Sequence, residues 1–327
     1  MTTGLYDENF FNNPARVTAN PESRLTLLQL TPEVNTNTIN AISSASKGLN
    51  TLLNTQTGNN LHQRVQMILP AYYSASHDNT ETYNWSYAFG LITGLQSDFL
   101  ISNMYQTSGD VIADIGPALT IGYKAAPHKE LALGATIHGL YRFSANPGVD
   151  ILTYLQQPAL SLSSMAGQGA MYNLDLGATL KFFETENWEF EAGLAGQNLL
   201  GQTFNTIPLA STRGSSLPTP QPMSFGVGVS AARPTWGPFQ NSLFALEVTD
   251  ILNNGDGSVF RLLHLGGETH WKFVTLRAGL NQGYWTAGLG LRLLFLHLDL
   301  ASYGEELGLN VGQIEDRRYA LSLGINL

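Results

Sequence analysis

From Ile112 to Leu327 the chain alternates apolar and polar positions with a period of two, so one face of each segment is apolar and the other small or polar. In the clearest stretch Leu131, Leu133, Ala135, Ile137, Tyr141 and Phe143 share one face, while Ala132, Gly134, Thr136, His138 and Arg142 share the other. The separation recurs with Tyr172, Leu174, Leu176 and Leu180 against Asn173, Asp175, Thr179 and Lys181. It recurs again around Phe190, around Val227, and in Tyr319, Leu321, Leu323 and Ile325 at the C-terminus. Strands of soluble proteins have a mode of about 5–6 residues, whereas a tilted membrane strand needs about 9–11, and most segments here are long. The pattern therefore predicts an all-β fold, a transmembrane antiparallel β-barrel, with about 14 strands counted from Arg64 onward. Tyr141, Phe143 and Phe182 sit near segment ends on the apolar face, as an interfacial girdle requires. A soluble β-sandwich alternates too, and membrane fractionation separates the two.

Three stretches break the pattern. Ile39, Ile42, Leu49, Leu52 and Leu53 follow helical spacing behind Thr38, which predicts a short amphipathic helix with Thr38 as N-cap. Residues 146–170 combine a Pro-Gly turn, an apolar run at Ile151, Leu152 and Leu155, and Pro158, a pattern expected of a helical insertion in a long loop. Residues 201–222 hold four prolines among Ser and Thr and read as an external loop.

Composition narrows the class. Charged residues make up 13% of the 327, about half the usual share, against 33 glycines and 10% aromatics. No run approaches the roughly 18 apolar residues of a membrane helix, so the membrane case rests on strands. The absence of cysteine excludes disulfides, thiolate metal sites and cysteine nucleophiles, and fits passage through an oxidising periplasm. A net charge of −9 without a basic cluster argues against nucleic acid as partner. The start, Met1-Thr2-Thr3-Gly4, has neither a basic nor an apolar leader region, so a mature or engineered numbering is expected for an exported chain.

The inward face carries Asp114, Lys124, His138, Arg142, Glu189, Glu191, Glu268, Arg277 and Arg292 among many small residues, and these are the candidate lumen and selectivity groups. They are too sparse for a wide aqueous channel. Between Leu289 and Leu300 both faces read as apolar, with Leu291, Leu293 and Phe295 on one and Leu294, Leu296 and Leu298 on the other. Such a strand needs cover on both sides: lipid outside, and the chain's own helix, a bound hydrophobic molecule or a neighbouring subunit on the other. His264, Glu268 and His270 share a face, but i to i+4 along a strand spans roughly 13 Å, which removes His264 from any joint metal site. No metal is expected. Asn253-Asn254-Gly255-Asp256-Gly257 lacks the rest of a calcium loop and reads as a tight hairpin turn. There is no Gly-x-Ser-x-Gly elbow and no phosphate-binding glycine loop, so a non-enzyme without a cofactor is expected, a Ser-His pair formed across strands being invisible in sequence.

Asn13-Pro14-Ala15, followed by a helical segment and long strands, resembles the Asn-Pro-Ala motif of the outer-membrane transport superfamily that includes FadL-type fatty-acid transporters and related barrels of secretion systems. Near the C-terminus Leu276-Arg277-Ala278-Gly279-Leu280, Leu289-Gly290-Leu291, Asp299, Ala301, Tyr303, Glu306 and Leu307-Gly308 resemble its closing strands. The chain departs from the family where Arg16 stands in place of the usual glycine after Asn-Pro-Ala, and where Leu327 replaces a terminal aromatic. The resemblance implies a 14-stranded barrel in the bacterial outer membrane, divided into an N-terminal plug over residues 1–60, containing the short helix, and a barrel over 61–327. It implies transport or porin-like passage of small solutes or hydrophobic compounds, with outer-membrane lipid as surroundings. The alternative is a non-catalytic structural barrel, a homo-oligomer that organises lipid or a secretion-associated shuttle, supported by the two-sided apolar strands.

Overall fold

The computed structural model describes residues 12–45, 59–75, 85–101, 106–125, 131–145, 149–150, 166–207 and 217–327. A strand with one apolar face can enter hydrocarbon only if every backbone N–H and C=O is paired laterally, and an open sheet always leaves two unpaired edges. This chain removes both edges by closure. The strands are β1 (Arg24–Asn35), β2 (Asn60–Tyr73), β3 (Trp85–Ile101), β4 (Gln106–Lys124), β5 (Leu131–Ala145), β6 (Val149–Asp150), β7 (Ala166–Glu184), β8 (Glu189–Gln197), β9 (Ser224–Trp236), β10 (Phe239–Val248), β11 (Leu263–Trp271), β12 (Val274–Asn281), β13 (Tyr284–Leu293), β14 (Leu296–Glu306) and β15 (Glu315–Asn326). Each long strand pairs antiparallel with the next, β5 passes directly to β7, and β1 returns to pair with β15. Fourteen strands therefore close the ring, while the two-residue β6 only adds a short pairing to the start of β4.

The predicted face assignments hold. Leu133, Ile137, Tyr172, Leu176, Leu194 and Val229 are exposed on the outer wall, whereas Thr136, Arg142, Asn173, Asp175, Thr179, Glu191 and Ser230 are buried within. Aromatics band the outer wall at the end carrying the chain termini, among them Trp85, Phe182, Trp236, Trp271 and Phe295, with Trp188, Trp236 and Phe244 in mutual contact. The connections at this end include the short turns at 185–188, 237–238, 272–273 and 294–295, while the far end carries the longer segments 36–59, 198–223 and 249–262.

Several expectations need correction. The barrel does not begin at residue 61: β1 lies inside the segment expected to be the plug, and it supplies the fourteenth strand beside thirteen that begin at Asn60. The helix, α1 (Thr36–Ala45), is not in the plug either. It follows β1 at the far mouth, with Ile39 and Ile42 exposed. Its start is capped by Asn35, whose Oδ1 accepts from the Thr38 backbone N–H at 2.8 Å, while the Thr38 hydroxyl donates to the His62 carbonyl at 2.9 Å. The rest of that helical pattern, from Leu49 to Leu53, lies outside the described residues, as does most of the insertion expected over 146–170.

The two-sided apolar strand is also resolved differently. Leu294 and Phe295 form the turn between β13 and β14, with Leu294 at φ +52°, and the turn resets the alternation. Leu291 faces Leu298 and Leu293 faces Leu296, so the leucines of both strands share one wall while Arg292, His297 and Asp299 take the other. The Asn253–Gly257 segment is not a tight hairpin but part of a 14-residue connection, residues 249–262, in which Asn254 occupies both Asp250 carboxylate oxygens.

Candidate functional site: the plug and the polar lumen

A row of small residues runs laterally across the inner wall, because Gly122 on β4 faces Gly134 on β5, which faces Gly177 on β7, which faces Ala195 on β8. The 3-10 turn Pro14–Ala19 rests on this row. A Cβ built at Gly134 would stand 2.3 Å from the Ala15 nitrogen, one at Gly177 1.9 Å from Asn13 Oδ1, and one at Gly122 2.4 Å from a Val17 methyl. Glycine is required at these positions for the backbone to approach, independent of turn geometry. Asn13 then acts twice. Its Oδ1 accepts from the Ala15 N–H at 3.0 Å and caps the turn, and its amide donates to the carbonyls of Ala178 at 3.3 Å and Leu194 at 3.4 Å. Val17 closes an apolar cluster with Ile68, Ala71, Tyr73, Ala88 and Ala118, and Asn20 donates to the Ser74 carbonyl at 3.2 Å. Arg16 reaches Glu191 at 2.6 Å with both side chains about nine-tenths buried. The Asn13, Pro14 and Ala15 motif thus docks on the inner wall, held by its own residues rather than by the helix expected in this segment.

Between this plug and the far mouth lies a cavity of about 340 Å³. Asp114 and Arg142, two of the predicted lumen groups, meet there in a bidentate pair, with Nε and Nη2 of Arg142 each 2.7 Å from a carboxylate oxygen. The third Arg142 nitrogen donates to the Thr219 carbonyl at 3.0 Å, and the guanidinium lies 5.3 Å from the centre of the buried Phe204 ring. Residues 201–222, expected as an external loop, therefore enter the barrel mouth in part: Asn205 bridges to Ala170, and Phe204 and Thr219 cover Arg142. His138 lines the same cavity and pairs with Asp175 at 3.2 Å.

The other candidates divide among separate places. Glu268 and Arg277 form a second cluster, in which Arg277 bridges Glu268 and Asp299 at 2.5 Å each and His270 meets the other Glu268 oxygen at 3.1 Å. With both Glu268 oxygens engaged, the His270–Glu268 pair is part of an ion network. His264 instead contacts Thr249 and Asn281. Glu191 holds the plug, whereas Glu189 pairs with Lys181 at 2.6 Å toward the termini end. Lys124 and Arg292 lie at strand ends on that side, and Arg292 is exposed.

A third cluster was not anticipated. Glu33 of β1 accepts from Tyr303 of β14 at 2.6 Å and meets His62 of β2 at 2.8 Å; the other His62 nitrogen meets Asp98 of β3 at 2.5 Å. Arg318 of β15 adds contacts to Glu305 at 2.8 Å and Asp316 at 2.9 Å, and lies 3.6 Å from Glu33. These groups stitch the seam where the first and last strands meet. Their signal was present in the alternation of His62, Arg64 and Gln66 with Val65 and Met67, but Pro32 and a register irregularity after Thr26 conceal β1.

No protein-family model and no curated protein sequence matches the chain. Among solved structures, a TodX monoaromatic hydrocarbon channel with an S2 deletion matches with a TM-score of 0.51 and 14% identity, over 97% of this chain and 92% of that one. The CymD monoaromatic hydrocarbon channel matches at 0.50 and 12%, over 99% and 93%. The toluene transporter TodX of Pseudomonas putida matches at 0.48 and 11%, over 98% and 92%. The fold of this chain is that of these channels, here a closed antiparallel barrel of fourteen strands.

Proposed function

We propose that this barrel passes small organic solutes of hydrophobic character across the bacterial outer membrane, with Asn13–Ala19 as the plug at the termini end and the Asp114–Arg142 pair in the lining of the passage. The observation that carries the reading is a lumen cavity lying beyond a seated plug and below a partly covered mouth within a closed barrel. Such an arrangement suits a bound, stepwise passage and opposes free flow of ions and water. Short turns belong to the periplasmic side of outer-membrane barrels and longer loops to the outside, which orients the plug toward the periplasm. The fold neighbours CymD and TodX, described as monoaromatic hydrocarbon channels, support a hydrophobic cargo and a non-enzymatic role. The lipid-organising alternative loses its motive, because the leucine-rich hairpin 284–306 presents one apolar wall only.

The test is entry of toluene into vesicles whose outer leaflet is lipopolysaccharide, with and without the folded barrel, alongside planar-bilayer conductance. The reading expects faster toluene entry with low ion conductance. Equal entry rates with folded protein present would sink it.

A further inference from the structure

The cavity beyond the plug has a mixed lining. Ile92, Ile112 and Leu140 give it an apolar side, and Ile92 packs directly on the cluster that contains Val17 of the plug. Beside these stand the side-chain amides of Gln66 and Gln221, neither of which has a hydrogen-bond partner among the described residues, together with Arg64, whose guanidinium lies 3.9 Å from Glu33. A carboxamide offers two donors and an acceptor with two lone pairs, so two of them leave both kinds of hydrogen bond open to a guest. Charge, by contrast, is already balanced. Of the charged lining groups, Arg142 is matched to Asp114, His138 to Asp175, and Arg64 stands beside Glu33.

We infer that the cavity is a binding site for an uncharged amphipathic solute: an apolar body the size of one substituted ring, seated on Ile92, Ile112 and Leu140, carrying a single oxygen function read by Gln66 and Gln221. This rests on the passage reading above and narrows its cargo. An ionic guest would lose hydration without meeting an unmatched counter-charge, and a bare hydrocarbon would leave the two amides covered and unpaired. At about 340 Å³ the space lies at the small end of ligand pockets, which run from roughly 300 to 1,000 Å³, and suits a guest the size of a single ring. Through Ile92, which lines the cavity and packs on the Val17 cluster, occupancy of the site is linked to the element that must move for the solute to leave.

The experiment compares three probes with the same ring and methyl group, 4-methylphenol, toluene and 4-methylbenzoate, binding to the full chain in detergent by isothermal titration, with heat-sensitive gel mobility as the check of folding. The inference expects 4-methylphenol to bind about tenfold more tightly than toluene, the effect of roughly one net hydrogen bond, and 4-methylbenzoate to bind weakest. In Gln66→Leu the advantage of the phenol over toluene should fall below about threefold with toluene affinity unchanged or raised. Gln221→Leu, on a connecting segment rather than a strand, repeats the measurement should Gln66→Leu fail to fold. Toluene binding as tightly as the phenol, a preference for the benzoate, or a phenol preference untouched by both variants would each overturn it. The vesicle entry assay run on the same three probes separates the two ideas: entry without selective binding defeats this inference alone, and selective binding without entry defeats the passage reading.

Discussion

At the residue scale, the plug seat is a question of single Cβ atoms. Gly134 faces the backbone of Pro14 and Ala15, which cannot rotate away, so even a methyl group there must displace the turn. Gly94 lies on the same inner wall, yet a Cβ there would find its nearest neighbour, the Val65 carbonyl, at 3.9 Å. Gly134→Ala is therefore expected to unseat the plug and raise single-channel conductance while the barrel keeps its heat-sensitive mobility, and Gly94→Ala should leave conductance as it was. A Gly134→Ala barrel with wild-type conductance would remove the steric account. Arg16 is the second such residue. Arg16→Met strands the buried Glu191 carboxylate, a change of the kind that costs about 3–5 kcal/mol, so Arg16→Met should expose the N-terminal segment to added protease. Adding Glu191→Leu replaces the pair by apolar groups of similar size and should restore much of the protection, a coupling that a double-mutant cycle of cleavage rates reads directly.

At the element scale the barrel is closed by side chains as well as by the β1–β15 ladder. Glu33, His62, Asp98, Tyr303, Glu305, Asp316 and Arg318 come from five strands, and Glu33 touches three of the others. Glu33→Leu leaves His62, Tyr303 and Arg318 facing an apolar group, and the seam should then open at lower temperature. The measurement is the temperature at which the folded band disappears on gels, with Glu268→Leu at the separate Arg277 cluster as a comparison for a lumen ion pair away from the seam. A larger fall for Glu268→Leu would show that closure does not depend on the seam network. The same scale shows what the sequence could and could not reveal. Strands β5, β7, β9 and β15 were legible because large apolar and small polar residues alternate without interruption. β1 was not, because Pro32 cannot donate to a ladder and a register irregularity shifts the alternation within the strand. The β13–β14 hairpin was misread as two-faced because a turn at Leu294 and Phe295 has no Gly, Asn or Asp to announce it. Leu294 carries its positive φ with its side chain fully exposed, so Leu294→Asn, a residue that tolerates this conformation, should raise unfolding stability by about 1 kcal/mol in urea titrations.

At the scale of the whole molecule, fold class and inner face could be derived from periodicity, whereas the partner of each inward charge could not. Asp114 and Arg142 are 28 positions apart and meet only because β4 and β5 pair in one register. Arg16 and Glu191 are 175 apart and depend on the plug folding back into the lumen, a placement that no local pattern encodes. The plug is also the element on which the proposed passage turns. Among the described residues it adds no strand to the barrel, and its links to the wall include a few hydrogen bonds, the Arg16–Glu191 ion pair, the apolar contact of Val17 and a glycine seat. The closed ring of fourteen strands satisfies its own backbone without it, so removal of residues 12–20 should leave a folded, heat-modifiable barrel. Its lumen would then run from the cavity to the termini end, and conductance should rise from near zero to discrete steps. Should the shortened chain fold and remain silent, the block lies elsewhere, and the inward segment around Phe204 and Thr219 that covers Arg142 becomes the next place to cut.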